Sequence, residues 1–352
     1  MQATIDTKEL EQLASDLLSA GGFTQTEAQL TARSLVQSNL RGYDSHGVVR
    51  VQEYLDALRQ KELVSGAEWV VLNQSPSALW VDAGRGLGQV QMPRLLEQLE
   101  VKSRESAVAV GVMHSCGHVG RLGEWVEHLA RRGLAAFMAV NDNGAVLSVA
   151  PPGGKEARTS TNPLAFGIPL PEGAESFVLD LSTSLSSLGR IRLAHLSGEV
   201  CNPDFIQDAM GRPTSDPSVL FNEPRGALRP MAAYKGFGLA MMIDCLVAGL
   251  SGGFAPPAPE GTPALNNVLV AAWNPAHFAG LPHMQEQAEK YLRFVSETEP
   301  TDPHRPVQIA GDRSKAERAR RERDGIPLSQ GLRQLLSSLA RELGVSVPEG
   351  LS

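Results

Sequence analysis

The chain has 352 residues, enough for two domains of ordinary size. Its 42% hydrophobic and 20% charged residues are those of a folded globular protein and exclude wholesale disorder. The net charge of -7 gives neither nucleic acid nor an anionic membrane an electrostatic hold.

No apolar run approaches the ~18 residues of a membrane span, and the acidic, amphipathic N-terminus does not read as a signal peptide. Cys116, Cys201 and Cys245 form no C-x-x-C pair. An odd, unpaired set fits a reducing compartment, so a cytoplasmic protein without a zinc or disulfide framework is expected.

In chain order, residues 1–14 open an amphipathic helix. Leu10, Leu13, Ala14, Leu17 and Leu18 share one face, Asp6 with Glu9 suits a capping box, and Gly21-Gly22 ends the helix. Thr24 with Glu27 opens a second helix carrying Ala28, Ala32, Leu35, Val36 and Leu40, and a third follows from about 51 to 58. Between them lies Arg41-Gly42-Tyr43-Asp44-Ser45-His46-Gly47-Val48-Val49-Arg50. Glycine costs about 1 kcal/mol inside a helix, so the helix breaks here and holds a histidine at the break. Taken alone, this segment fits a polar turn as well as an acid/base site.

From residue 78 the pattern changes to β-rich runs at Ala78–Asp82, 107–113, 134–140, Phe177–Leu181 and 268–273, with helical patterns between them. This predicts an α/β sheet covered by helices. Residues 83–89 imitate a dinucleotide fingerprint, but its third glycine is replaced by Gln89, so an ordinary Rossmann site is not expected. His114-Ser115-Cys116-Gly117-His118-Val119-Gly120-Arg121 precedes a helix, whose free N–H groups suit a phosphate. A metal would need a third ligand that the segment lacks.

Loops 141–163 and 202–230 are long and rich in Gly, Pro and Asn, the kind that carries function. Asp180 ends an apolar strand, where a carboxylate takes a ribose hydroxyl pair or caps the next helix. Lys235 stands at another helix start, and 254–263 is a Pro/Gly/Ala-rich loop. Residues 315–323 are a charge run, read as a solvated helix face. The last helix carries Leu332, Leu335, Leu336, Leu339, Ala340 and Leu343 on one face. Both ends are helical around an α/β middle. The expected division is a discontinuous helical domain, 1–77 with 278–352, and an α/β domain, 78–277.

These blocks together resemble one family, the type 2 malate/L-lactate dehydrogenases. It includes ureidoglycolate dehydrogenase, diketogulonate reductase, sulfolactate dehydrogenase and the reductases of cyclic imino acids. Ser45-His46-Gly47 with Arg50 meets the family pattern S-H-G-x-x-R. Gly117-His118-x-Gly120, Gly153-Gly154 with Thr161-Asn162-Pro163, and Asp180-Leu181-Ser182 follow in order. Gly211-Arg212-Pro213-Thr214, Lys235-Gly236-x-Gly238, Asn274-Pro275 and Gly311-Asp312 complete the set. The likeness runs from about residue 5 to 330.

The resemblance implies a non-Rossmann nicotinamide-binding sheet domain plus a helical domain built from both chain ends. It also implies a homodimer with its site near the subunit interface. The implied reaction is hydride exchange between NAD or NADP and a small 2-oxo/2-hydroxy acid, or an imine/amino acid pair. His46 would give and take the proton, with Ser45 orienting it and His118 as the rival for that role. Arg50 would clamp the substrate carboxylate, and Thr161 would also touch the substrate. Cofactor contacts would come from His118, Val119, Gly120, Arg121, Leu122, Asp180, Leu181, Ser182, Tyr234, Lys235, Gly311, Asp312 and Arg313.

Three positions depart from the family. Arg190 replaces a lysine common in hydroxy-acid members, whereas the imino-acid reductases carry an acid there. Leu188 offers no guanidinium for a 2′-phosphate, which favours NAD. Asp142 stands where a small hydroxyl residue is usual. A cofactor-free hydrolase using Ser45 with His46 is the competing class, although no G-x-S-x-G elbow occurs. A binding protein without activity is the other competitor, opposed by the intact His46, Asp180 and Lys235.

Overall fold

The computed structural model describes residues 4–351, so residues 1–3 of the expected N-terminal helix and residue 352 of the expected helical domain lie outside the described residues. Strand β1 (Thr4–Ile5) leads into α1 (Thr7–Ala20), whose first N–H groups are taken by the Asp6 carboxylate. Helix α2 (Gln25–Leu40) opens on a capping box formed by Thr24 and Glu27. One turn of 3-10 helix, Asp44–His46, separates it from α3 (Arg50–Arg59).

The middle of the chain is β2 (Val70–Gln74), β3 (Ala78–Asp82), α4 (Gly88–Ser106), β4 (Val108–Cys116), α5 (Leu122–Ala130), β5 (Ala135–Asn141), β6 (Leu164–Ile168) and β7 (Phe177–Leu181). Then come α6 (Leu188–Ser197), three short strands β8 (Ile206–Gln207), β9 (Pro213–Thr214) and β10 (Ala227–Leu228), α7 (Tyr234–Ser251) and β11 (Asn266–Trp273). Helices α8 (Leu281–Ser296) and α9 (Asp312–Asp324), strand β12 (Ile326–Pro327) and helix α10 (Gln330–Leu343) follow.

A seven-stranded mixed sheet runs β2-β3-β4-β11-β5-β6-β7. Strands β3 and β4 pair in parallel across the α4 connection, and the other neighbours pair antiparallel. Alternate residues of a strand face opposite sides. Met113 and Met138 therefore meet α4 and α5, whereas Val112, Ala139 and Leu269 meet Ile243 and Val247 of α7. Strand β11 lies between β4 and β5, so the C-terminal ends of β4 and β5 open at the same sheet edge. His118 follows one of those ends.

A second core joins α1, α2 and α3 to Ile326, Leu328, Leu336, Leu339 and Ala340. Thr4 and Ile5 pair with Pro327 and Ile326, so the described chain ends meet. Helix α8 lies elsewhere, with the Gln285 amide donating to the Leu170 carbonyl at 2.8 Å.

Three sequence expectations need correction. Segment 202–230 carries β8, β9 and β10 as a three-stranded sheet instead of running as an unstructured loop. Strands β2 and β6 went unread: the β2 residues are exposed without alternation, and β6 contains Gly167. That glycine lets α5 close on the sheet, because a Cβ there would lie 2.6 Å from the Val126 carbonyl oxygen. Finally, α7 reaches the length of a membrane span, with 18 residues at a mean hydropathy of 1.2. One face of it packs on the sheet, and its Asp244 carboxylate accepts hydrogen bonds from Asn141 and Thr159 at 2.9 and 2.6 Å.

The glycine-rich segment before α4 serves the loop that holds His118. A Cβ on Gly88 would lie 2.5 Å from the His118 carbonyl oxygen and 2.6 Å from the Val119 Cα. Both obstacles are backbone, so Gly88→Ala must push that loop away. Overpacking of this kind costs about 1–3 kcal/mol. The variant is expected to melt several degrees lower and to lose turnover together with stability. An unchanged melting curve would show that the loop gives way freely.

Candidate active site

The helix break is held from two sides. The Asn39 amide donates to Asp44 Oδ1 at 2.7 Å, and its oxygen accepts the Val48 N–H at 2.9 Å. Arg321 of α9 grips the same carboxylate with two bonds, at 2.6 and 3.0 Å, and also reaches the Asn39 carbonyl at 2.8 Å. This corrects the reading of 315–323 as a solvated face, since Arg321 is buried and ties α9 to the break. A charge run carries no sign of which member turns inward.

Ser45 Oγ lies 3.1 Å from His46 Nδ1. The His46 ring stacks on His118 with centroids 5.6 Å apart and planes 24° from parallel. Tyr54 Oη lies 2.7 Å from His118 Nδ1, and the Gln89 amide donates to that same oxygen at 3.0 Å. Desolvation pushes both imidazoles well below their usual range, His118 itself and Arg50 pushing His46 further down and Arg50 adding to the effect on His118. Burial drives the Tyr54 hydroxyl upward, so it stays a phenol. Tyr54 escaped the sequence reading because it sits on a helix face that looks like ordinary core, and Gln89 was read only as the residue that breaks the dinucleotide fingerprint.

Arg50 donates through Nε to the Ser45 carbonyl at 2.8 Å and through Nη1 to Glu53 at 2.5 Å. Gly189 keeps space open beside its Nη2, 3.5 Å from where a Cβ would stand. Ser45, Arg50, Gly117 and His118 line one cavity of about 680 Å³, with Val146, Leu188 and Leu265 on its other walls. Volumes of this order suit small-molecule ligands.

A second group forms around Tyr43. The guanidinium groups of Arg121 and Arg313 lie 5.5 and 6.0 Å from its ring centre. Asp180 accepts the Gly123 N–H at 2.7 Å at the start of α5. Tyr43, Arg121, Asp180 and Gly311 share a smaller cavity of about 150 Å³. Asp312 caps its own helix approach, accepting the Ile309 N–H at 2.9 Å.

Val119 and Leu122 are buried in the sheet core. The Val119 N–H is also committed to Asn266 at 2.9 Å, and its carbonyl accepts the Trp125 indole N–H at 2.8 Å. Gly120 between them adopts φ +75°, a left-handed turn that glycine takes readily. Thr161, Ser182 and the start of α7 form a third group. The Ser182 hydroxyl donates to the Thr161 carbonyl at 3.1 Å, and Gly236 comes so close that a Cβ would lie 2.6 Å from the Thr183 carbonyl oxygen. Leu181 packs beside the α7-facing core, and Tyr234 and Lys235 stand exposed at the helix start.

This donor set fits a dinucleotide. It offers a strand-end carboxylate, the uncapped start of α9, and a buried Arg121 Nε–H without a partner among the described residues.

Asp142 directly follows β5. Burial, with Asp244 adding, raises its carboxyl to about 7, and its Oδ1 has no partner among the described residues. Because the folded value is raised, this group costs stability as pH climbs from about 4 to about 7, and the cost persists above that. Asp142→Asn is expected to gain roughly 2–4 kcal/mol at pH 8 and almost nothing at pH 4. Melting curves at the two pH values check this, and equal shifts would contradict it.

Residues 5–337 match the malate/L-lactate dehydrogenase family. The chain is 32% identical over 340 residues to the L-lactate dehydrogenase of Cupriavidus necator, covering 96% of this chain and 97% of that one. It is 37% identical over 288 residues to the (2R)-3-sulfolactate dehydrogenase (NADP+) of Chromohalobacter salexigens, covering 79% and 83%. The crystal structure of a dehydrogenase from Sinorhizobium meliloti superposes with a TM-score of 0.86 at 32% identity, covering 96% and 98%. Sheet, paired imidazoles and these likenesses together define an NAD(P)-dependent dehydrogenase or reductase. The chain belongs to the malate/L-lactate dehydrogenase family.

Proposed function

We propose that this enzyme transfers a hydride between NAD(P)H and a small 2-oxo/2-hydroxy carboxylic acid, with His46 as proton donor and acceptor. The observation that carries this reading is the joining of Arg50, Ser45 and His118 in one cavity wall, with His46 stacked on His118. When bound, the nicotinamide supplies or removes the hydride. Arg50 holds the substrate carboxylate through guanidinium N–H groups. Thr161 adds a polar contact to the substrate.

Ser45 suits His46 to titration, because a hydroxyl either donates to Nδ1 or accepts from it. His46 Nε2 has no hydrogen-bond partner among the described residues and is left for the substrate. Burial is the main cause that holds His46 down, and a carboxylate paired with Arg50 offsets only the smaller part that Arg50 contributes.

In this reading, segment 78–277 holds the cofactor on its mixed sheet without a Rossmann fingerprint, and the helical domain comes from both chain ends. Asp180 takes ribose hydroxyls, and Arg121, Gly120, Ser182, Lys235 and the Gly311–Arg313 turn receive the remaining polar groups. Leu188, which offers no guanidinium for a 2′-phosphate, favours NAD over NADP. A cyclic imine is the alternative substrate, disfavoured by Arg190, whose guanidinium sits 5.3 Å from the Phe205 ring centre. The outer face of α7 exposes Met241, Met242, Leu246 and Leu250, an apolar surface that suits a second copy in a homodimer.

A panel of 2-oxo acids and cyclic imines with NADH and NADPH, followed at the nicotinamide absorbance, tests the proposal. Turnover of at least one oxo acid is expected, faster with NADH. Failure to bind either nicotinamide would overturn it.

A further inference from the structure

The two stacked imidazoles have different partners, and the difference decides which of them can change charge. The Gln89 amide nitrogen can only donate, so Tyr54 Oη accepts from it. The single Tyr54 proton then points at His118 Nδ1, 2.7 Å away, and that nitrogen must be bare. Turning the Gln89 amide over would place two N–H groups where Oε1 now has no partner, a worse outcome than one unpaired carbonyl. A proton on Nδ1 would set two donors against one phenol oxygen and leave the buried Tyr54 proton without an acceptor. Nothing comparable constrains His46, whose Ser45 partner rotates to suit either state.

We infer that Tyr54, held by Gln89, is a positioning residue that locks His118 as a neutral imidazole with its proton on Nε2. His118 thus donates a hydrogen bond to the substrate's oxo oxygen and leaves proton transfer to His46. The inference rests on the dehydrogenase reading above. A donor aimed at the oxygen where charge develops is worth about 10²–10³ in rate. It does that work without itself titrating. Tyr54 borders the same cavity, but its hydroxyl is committed to Gln89 and to His118 Nδ1, so it acts through the ring it holds.

Histidine-selective ¹⁵N NMR on the full chain tests this directly. In the unsubstituted protein, His118, assigned by the signals lost in His118→Gln, is expected to show a protonated Nε2 and a bare Nδ1. Tyr54→Phe keeps the ring and should fold, and its His118 should mix both tautomers. Its kcat for an oxo acid is expected to fall about tenfold, with the KM for the nicotinamide unchanged. His118→Gln, whose amide still donates, should retain more turnover than His46→Gln. A proton on Nδ1 in the unsubstituted protein would overturn the inference. So would an unchanged tautomer in Tyr54→Phe, or His118→Gln as inactive as His46→Gln. The nitrogen signals need no substrate. If no oxo acid is turned over, the functional reading fails and the spectra still decide the tautomer.

Discussion

Replacing His46 with alanine is expected to cut kcat for oxo-acid reduction by about 10²–10⁴, the usual contribution of a positioned acid/base group. Nicotinamide binding, read by fluorescence quenching of NADH, should survive. The groups read as holding the cofactor are gathered around Tyr43, Asp180 and Ser182, and none of the hydrogen bonds that anchor them involves His46. The fold should survive too, because the Asn39–Asp44–Arg321 anchor does not use the His46 side chain. The variant opens space beside the His118 ring without releasing Tyr54 from it. Near-normal turnover in His46→Ala would move proton transfer to His118 and overturn the division of labour between the rings.

Arg50→Lys is expected to raise the KM for the oxo acid about 10²-fold while changing nicotinamide affinity little. Hydrogen bonds to charged groups contribute about 1.5–3 kcal/mol each, and an ammonium cannot reproduce a two-pronged hold on a carboxylate. Loss of binding common to ground and transition state appears in KM. Some loss of kcat should accompany it, because Arg50 also fixes the Ser45 carbonyl and so the residue that orients His46. Steady-state kinetics of the variant with an oxo acid and with the nicotinamide separate the two effects. A KM unchanged for the acid would remove Arg50 from the substrate.

Local signals carried much of the site. The Thr24–Glu27 pair forms its capping box as read, and Asp6 caps α1 with its carboxylate alone, without the reciprocal Glu9 bond of the expected box; a cap needs only residues adjacent in sequence. The break at 41–50 is equally local: two glycines and a run of polar side chains end α2 wherever the rest of the chain goes. Asp180 and Arg313 were named from their blocks, yet only the fold shows both beside Tyr43.

Side-chain direction was the part that local pattern withheld. Val119 and Leu122 sit inside a motif block, but the turn at Gly120 buries both in the sheet core. Arg321 looked like its charged neighbours, yet one turn of α9 aims it at Asp44, 277 positions away in sequence. Gly86 and Gly88 imitated a phosphate loop, whereas their backbones lie against Gly117 and His118.

The amino-acid sequence by itself determined the family, the helix break that holds His46, and the order of the motif blocks along the chain. Those properties depend on residues close together, where spacing and backbone preference decide the outcome. Tertiary structure alone decided that His46 stacks on His118, and that Tyr54 and Gln89 set the proton on one ring while Ser45 leaves the other free to titrate. A hydrogen bond has a direction as well as a length. Whether a ring nitrogen accepts or donates is set by what each partner is already bonded to, and those partners are brought together only when α3, α4 and the β4 loop pack.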